Sequence, residues 1–301
     1  MVLTSTPQEK AELMEQSAVK GRSLWDDART RLLRNKAAVA SLILLGVLVL
    51  LALVGPLIWV HDSTFIYRDK VQIAPTLTDL HIFGTDAQGR DLFARVLVGL
   101  RMSLMVGVVA TFVSLLIGVT WGAIAGFVGG KLDQLMMRVV DILYSLPFIF
   151  FVIILMVVFG RNIILIFVAI GAVEWLTMAR IVRGQTIALK SMEFVEAAHA
   201  AGVSQGAIIR RHIVPNVLGP VVVYVTLTIP VVILAESFLS FLGLGVQEPL
   251  TSLGNLISNG ARDMEIAPWT LIFPALTMML TLFCFNFIGD GLRDAIDPKD
   301  R

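Results

Sequence analysis

The sequence predicts an all-α, polytopic membrane protein with about six transmembrane helices. Composition is the first sign: 56% of the residues are hydrophobic and 16% charged, whereas soluble domains are about a quarter charged. The second is a series of apolar stretches that begin near Ala37, Ser103, Ile142, Ile163, Val217 and Thr270. Each approaches the roughly 20 residues that cross about 30 Å of hydrocarbon, and each must be helical there, because an isolated strand leaves its backbone groups unpaired. The third is the distribution of basic residues. With six spans and both ends on one side, seventeen of the 24 Lys and Arg residues fall on the side of the termini and seven on the other. The positive-inside rule then puts both termini in the cytoplasm.

The chain divides accordingly into an N-terminal cytoplasmic segment, 1–36; a first span, 37–60; an extracytoplasmic loop, 61–102; a five-helix core, 103–293; and a cytoplasmic tail, 294–301. The core contains a cytoplasmic loop over 184–215, and its outer connections are a short turn at Arg161 and the segment 245–269. Residues 1–20 are polar and the first apolar run starts late and is long, which argues against a cleaved secretory signal. Ahead of that run, Leu24, Trp25, Ala28, Leu32 and Leu33 recur at helical spacing among Arg29, Arg31, Arg34 and Lys36. This pattern predicts an interfacial amphipathic helix, with a solvated basic tail as the alternative. In the outer loop, Thr85 to Leu100 is expected to form a helix with Leu92, Val96 and Leu100 on one face.

Along the second span Ala110, Ser114, Gly118, Gly122, Gly126 and Gly130 recur every four residues, a stripe that admits close approach of another helix. Spacing leaves open whether that helix belongs to this chain or to a partner. Pro147, Pro220, Pro230 and Pro274 lie inside apolar stretches, where proline removes a backbone hydrogen bond and bends the helix.

The loop over 184–215 is the most informative segment. Its run Glu193-Phe194-Val195-Glu196-Ala197-Ala198-His199-Ala200-Ala201 is a strong helix former, and Gly202 stands where a left-handed residue would end it. A second short helix is expected to start at Ser204, capped by its hydroxyl, and to stop before Pro215. Two short helices projecting from a membrane domain make a compact knob suited to a cleft on another protein; an ordinary connecting loop is the alternative.

Glu196, Ala197, Ala198, Gly202 and Pro215 resemble the EAA loop of ABC importer permeases. In that family the loop forms a coupling helix seated in a groove of the ATP-hydrolysing subunit. Carried over, the coupling residues are Glu193, Glu196, Ala197, Ala198, Gly202 and Pro215. His212 departs from the general motif, which prefers isoleucine three residues before the proline.

Further blocks extend the likeness to the dipeptide, oligopeptide and nickel branch of these permeases. They are Gly84-Thr85-Asp86 with Gly89-Arg90-Asp91; Gly129-Gly130, Asp133, Arg138, Asp141 and Pro147; Glu236 to Gly245; and Gly289-Asp290-Gly291-Leu292-Arg293-Asp294 followed by Asp297-Pro298-Lys299. Gly21-Arg22-Ser23-Leu24-Trp25 and Phe283-Cys284-Phe285-Asn286-Phe287 are most similar to the C-type subunit of oligopeptide importers. The resemblance implies a type I ABC importer fold and import of oligopeptides across the inner membrane. It also implies a homologous second permease, two ATP-binding subunits and an extracytoplasmic peptide-binding protein, with lipid as the solvent. Dipeptides or nickel chelates are the alternative cargo, and a secondary carrier driven by an ion gradient is the alternative class.

Several chemistries find no support. Gly129-Gly130-Lys131 lacks the distal glycine and hydroxyl of a phosphate-binding loop, so ATP and magnesium are expected at partner subunits, with no cofactor on this chain and no enzymatic activity of its own. The net charge of +1 sums segments facing different compartments and gives no ground for a nucleic-acid partner. Cys284 is alone, and His61, His81, His199 and His212 lack metal-ligand spacing, so no metal is expected. Glu174 and Glu236 lie in apolar stretches where a carboxylate is costly, which makes them candidates for the translocation pathway. Either can equally hydrogen-bond within the bundle.

Overall fold

The computed structural model describes residues 24–160 and 163–296. The polar segment before Leu24, the turn at Arg161 and the closing Asp297-Pro298-Lys299 lie outside these residues. Eleven α-helices follow in order among the described residues: α1 (Leu24–Arg34), α2 (Lys36–Ile58), α3 (Leu92–Val128), α4 (Gly130–Ser145), α5 (Phe148–Phe159), α6 (Ile163–Lys190), α7 (Glu193–Ala200), α8 (Gln205–Ile208), α9 (Val214–Phe241), α10 (Leu253–Asp263) and α11 (Trp269–Ile296). A π-helical turn, Ile209–Ile213, joins α8 to α9. Five helices are long and apolar enough to cross a membrane, and six if the bent pair α4–α5 is one span.

The amphipathic helix α1 forms, but its inner side rests on the chain itself. Ala28 is buried, and a Cβ added at Gly291 of α11 would sit 2.6 Å from Ala38 and 3.1 Å from Leu32. Asn35 separates α1 from α2 and caps the latter, its Oδ1 accepting from the amides of Ala37 and Ala38. Most of α2 is exposed, as expected of a peripheral span bathed in lipid.

The second span starts eleven residues before the expected Ser103, at Leu92. Asp91 caps it, its Oδ2 accepting from the amide of Ala94 at 2.8 Å. The expected helix over 85–100 is therefore the first turns of α3 rather than a separate element, and residues 85–91 are loop. Hydropathy misplaces the boundary because Arg95 lies in these turns, buried within 4 Å of Asp86 and Glu248.

The small-residue stripe finds its partner within the chain. Added Cβ atoms at Gly118, Gly122 and Gly126 would lie 2.5 Å from Met178, 2.4 Å from the Ala179 carbonyl oxygen and 2.8 Å from the Arg183 carbonyl oxygen. Residue numbers rise together along the contact, so α3 and α6 run parallel with their backbones nearly touching. Gly130, beyond the end of α3, meets nothing. By the same reasoning α9 runs antiparallel to α3, since Gly107 meets Ile229 and Ile233 while Val119 and Ala123 cluster with Val217 and Val221.

Pro147 breaks its apolar stretch outright. It caps α5, and the axes of α4 and α5 differ by 84°. With 12 residues, α5 is about 18 Å long and crosses nothing alone. Pro220, Pro230 and Pro274 stay inside α9 and α11. Two ion pairs tie α4 to α6: Arg183 donates twice to Asp133, at 2.6 and 2.7 Å, and Arg180 donates to Asp141 at 2.9 Å.

Candidate functional site

The parallel course of α3 and α6 places the two motif-bearing regions at opposite ends of the bundle. The segment 184–215 leaves the C-terminal end of α6, and the loop before Leu92 sits at the N-terminal end of α3. Over 37 residues, α3 separates them by about 55 Å.

At the first end, α6 runs on to Lys190 and α7 follows from Glu193. Val195 points inward and is buried with Phe127, Val182, Ile208 and Ile213, so the knob is anchored into the α3–α6 core. Glu193, Phe194, Glu196, Ala197 and Ala200 are exposed, and Ala198 is half-buried. The helix ends in a Schellman cap, as the sequence suggests. The Val203 amide donates to the Ala198 carbonyl at 3.1 Å, the Gly202 amide to that of His199 at 3.0 Å, and Gly202 has φ +75°. This geometry satisfies carbonyls that would otherwise be left orphaned.

The second short helix departs from expectation. Ser204 precedes α8 without a side-chain cap hydrogen bond, and the helix does not stop before Pro215. It passes through the π turn at Ile209–Ile213 and continues as α9, with Pro215 in the first turn. Proline is tolerated there because a widened turn and a first-turn position need no amide from it. From Gln205 onward, α8, the π turn and α9 thus form one continuous helical path into the bundle, and the turn at Gly202 joins α7 to its start.

At the other end, the 84–91 motif is a folded loop. Gly84 and Gly89 have φ +77° and +78°, and a Cβ at either would collide with a carbonyl oxygen, that of Ile73 at 2.5 Å or Tyr67 at 2.3 Å. Thr85 Oγ1 accepts from the Ile73 amide and donates to the Lys70 carbonyl, while the Thr85 carbonyl accepts from the Trp269 indole. Asp86 Oδ1 accepts from the amides of Gln88 and Arg90. Arg90 donates to Asp86 Oδ2 and to Glu248 Oε1, both at 2.9 Å. This bond holds the Glu248 carboxyl below its ordinary value of 4.5, against the opposing effect of partial burial.

Asp290 and Arg293 are exposed on the last turns of α11. The glycines on either side of Asp290 pack inward, Gly289 on Leu227 and Gly291 on Leu32 and Ala38. This end of α11 lies with the start of α9, where Gly219 meets Ile296, and so at the same end of the bundle as α7.

The two intramembrane glutamates differ. Glu174 is half-buried on α6. Glu236 is fully buried near the C-terminal end of α9, and its Oε1 accepts from Ser240 and Ser252, each at 2.7 Å. Its Oε2, also buried, has no hydrogen-bond partner.

Histidines scattered in sequence come together in space. His61 stacks on His81 at 4.2 Å, and His81 Nδ1 lies 2.8 Å from Asp91 Oδ1. Among the described residues this is the one cluster with metal-ligating groups in reach of each other. Most of its groups are committed: His61 contacts the Tyr67 hydroxyl and the Asp79 carbonyl, and Asp91 also accepts from Trp59 and Ala94, while the buried His81 Nε2 has no hydrogen-bond partner. No spacing rule would have found this cluster, which depends on how the 59–91 loop folds.

Comparison with known proteins follows the same lines. Over 306 residues the chain is 56% identical to the "Oligopeptide transport system permease protein OppC" of Escherichia coli (strain K12), covering 100% of both chains. It is 58% identical to the protein so named in Haemophilus influenzae over 293 residues, 97% of this chain and 94% of that one. The "Dipeptide transport system permease protein DppC" of Bacillus subtilis is 44% identical over 290 residues, 95% and 90% of the two chains. Among solved structures, the MetNI methionine ABC transporter in an inward-facing conformation shares the fold at TM-score 0.54 and 21% identity, over 66% of this chain and 94% of that one. Residues 23–75 match the N-terminal TM domain of oligopeptide transport permease C. Through residues 118–301, the chain belongs to the family of binding-protein-dependent transport system inner membrane components.

Proposed function

We propose that this chain is a membrane-spanning permease subunit of an ATP-driven importer of oligopeptides. It works with a homologous second permease, two ATP-binding subunits and an extracytoplasmic peptide-binding protein. The observation that carries this reading is the exposed helix α7, anchored by Val195 and stopped by Gly202, with α8 following it and running through the π turn into α9. Closure of the ATPase pair pushes on the exposed face bearing Glu193, Glu196 and Ala197, and the anchored side transmits the push to α3, α6 and α9. Coupling of this kind requires that nucleotide favour one arrangement of the bundle over the other.

Both chain ends then face the cytoplasm, since α1, the end of α11 and α7 lie together, and the 59–91 loop faces outward. Glu174, half-buried in a span, lines the pathway in the assembled complex, because a carboxylate facing lipid is costly. ATP and magnesium bind at the partner subunits. The 56–58% identity to two oligopeptide permeases favours oligopeptides as the cargo, whereas the oligopeptide and dipeptide permeases of Bacillus subtilis are equally similar, at 44% each.

The test is uptake by the purified complex in liposomes. With ATP inside and no ion gradient, labelled oligopeptide should accumulate. Uptake that needs an ion gradient and ignores ATP would establish a secondary carrier instead.

A further inference from the structure

A cavity of about 270 Å³ opens at the end of the bundle opposite α7, lined among others by Asp86, Arg90, Arg95, Glu248, Arg262 and Asp263. Its charges are unevenly satisfied. Arg90 holds Asp86 Oδ2 and Glu248 Oε1 at 2.9 Å each. Arg95 approaches the same two oxygens but reaches them only at 3.5 and 3.8 Å. Its side chain is 98% buried, and Nε has no hydrogen-bond partner. Asp86 Oδ1 is taken by two backbone amides, so Asp86 has no oxygen to spare. Two guanidinium groups thus converge on the same oxygen of each carboxylate, and the more deeply buried one is left without a hydrogen bond.

A buried guanidinium that feels carboxylates without bonding to them is an incomplete site, since buried charged donors are normally hydrogen-bonded. Arg262 adds a further positive group at the exposed side, in no ion pair among the described residues. The rim residues Ala87 and Gln88 are also exposed. A group entering from this surface therefore passes the exposed Arg262, beside Glu248 and Asp263, and reaches the buried Arg95 at the base. Planar guanidinium suits a carboxylate bound through two parallel hydrogen bonds.

We infer that this cavity is a socket for an acidic side chain of the binding protein, which completes the hydrogen bonding of Arg95 when the two proteins dock. The inference rests on the importer reading above. It assigns the socket to a docked protein rather than to the cargo because the opening lies on the end surface of the bundle, beside the folded 84–91 loop and α10, and away from Glu174 on α6.

The experiment measures the affinity of the binding protein for the assembled transporter in lipid nanodiscs, as a function of salt, for the wild type and two variants. Arg95→Gln removes the buried charge. Ala87→Trp plugs the mouth from the exposed rim and leaves Arg95 and its neighbours in place, so it remains informative if Arg95→Gln fails to assemble. Each variant that co-purifies with its partner subunits should dock at least tenfold more weakly, with a shallower dependence on salt. Ala87→Trp docking within twofold of wild type overturns the socket. Normal docking with lost uptake of free-acid peptide, but not of amidated peptide, also overturns it, by giving the cavity to the cargo. A wild-type transporter that docks no binding protein overturns both the socket and the importer reading, whereas failure of the variants' effects alone leaves the latter standing.

Discussion

Glu236 of α9 and Ser252, the residue that caps α10, share a hydrogen bond of 2.7 Å inside the bundle. The Ser252 hydroxyl also accepts from the Asn255 amide at 3.1 Å, so one serine starts α10 and fastens it to the end of α9. Glu236→Gln retains an acceptor oxygen and should lower stability by no more than about 1 kcal/mol, with uptake close to wild type. Glu236→Ala strands two buried hydroxyls and leaves a void, at a cost of about 2–4 kcal/mol. Thermal unfolding of the purified complex and peptide uptake check both. Loss of uptake in a stable Glu236→Gln protein would return this residue to the pathway.

The contact of α3 with α6 makes a second prediction. A Cβ at Gly122 would meet the Ala179 carbonyl oxygen at 2.4 Å and the Arg183 amide nitrogen at 2.9 Å. Both are backbone atoms of a helix and cannot rotate away, so Gly122→Val must push the helices apart, costing about 2–4 kcal/mol. Gly46 lies on lipid-facing α2 with nothing within 4 Å, and Gly46→Ala should be neutral or stabilising by about 0.5–1 kcal/mol. Yield of folded protein from membranes and its melting temperature separate the two variants.

Between α4 and α6, the twofold bond of Arg183 to Asp133 should be measurable as a coupling energy. The Arg183 side chain is 35% exposed, so solvent screening reduces the value to about 1 kcal/mol. Asp133→Ala and Arg183→Ala should therefore each destabilise modestly, and the double variant by less than their sum. An additive double variant would show that the pair contributes nothing.

How far these features could be read from the sequence depended on their range. The helix 193–200 and its stop at Gly202 are encoded within ten residues, and structure and sequence agree there. The start of α3 was hidden because Arg95 depresses local hydropathy, while one of the two carboxylates near it, Glu248, lies far along the chain. The stripe on α3 was visible, but its partner α6 was not, since spacing on one helix says nothing about the other. The π turn before Pro215 escaped because proline reads as a stop. The pairing of His61 with His81 depended on a loop whose path is set by Gly84, Gly89 and Thr85.

Glu248 supplies a pH dependence. Its folded value is lowered from 4.5 by the Arg90 hydrogen bond, so it binds fewer protons folded than unfolded. The stabilisation is present in full above 4.5 and is lost as pH falls through the lowered folded value. Unfolding followed between pH 6 and pH 3 should show a loss in wild type that is smaller in Glu248→Gln, which begins less stable. Identical pH profiles would show that Arg90 does not hold Glu248 in solution.

Gly202 offers the sharpest test of the coupling helix, because its environment isolates one physical effect. An added Cβ would meet nothing within 4 Å, yet φ is +75°, so substitution causes no collision and only the cost of a left-handed backbone. That cost is about 1–2 kcal/mol for an ordinary residue, is lower for asparagine, and is higher for a β-branched one. Uptake per ATP hydrolysed should therefore fall in the order Gly202→Asn, Gly202→Ala, Gly202→Val, with the last largely uncoupled. Because the knob is anchored independently through Val195, Ile208 and Ile213, the melting temperature of the bundle should change little across the series. A ratio that stays constant while the melting temperature falls would make Gly202 a residue of stability, and would remove the coupling role from the turn it terminates.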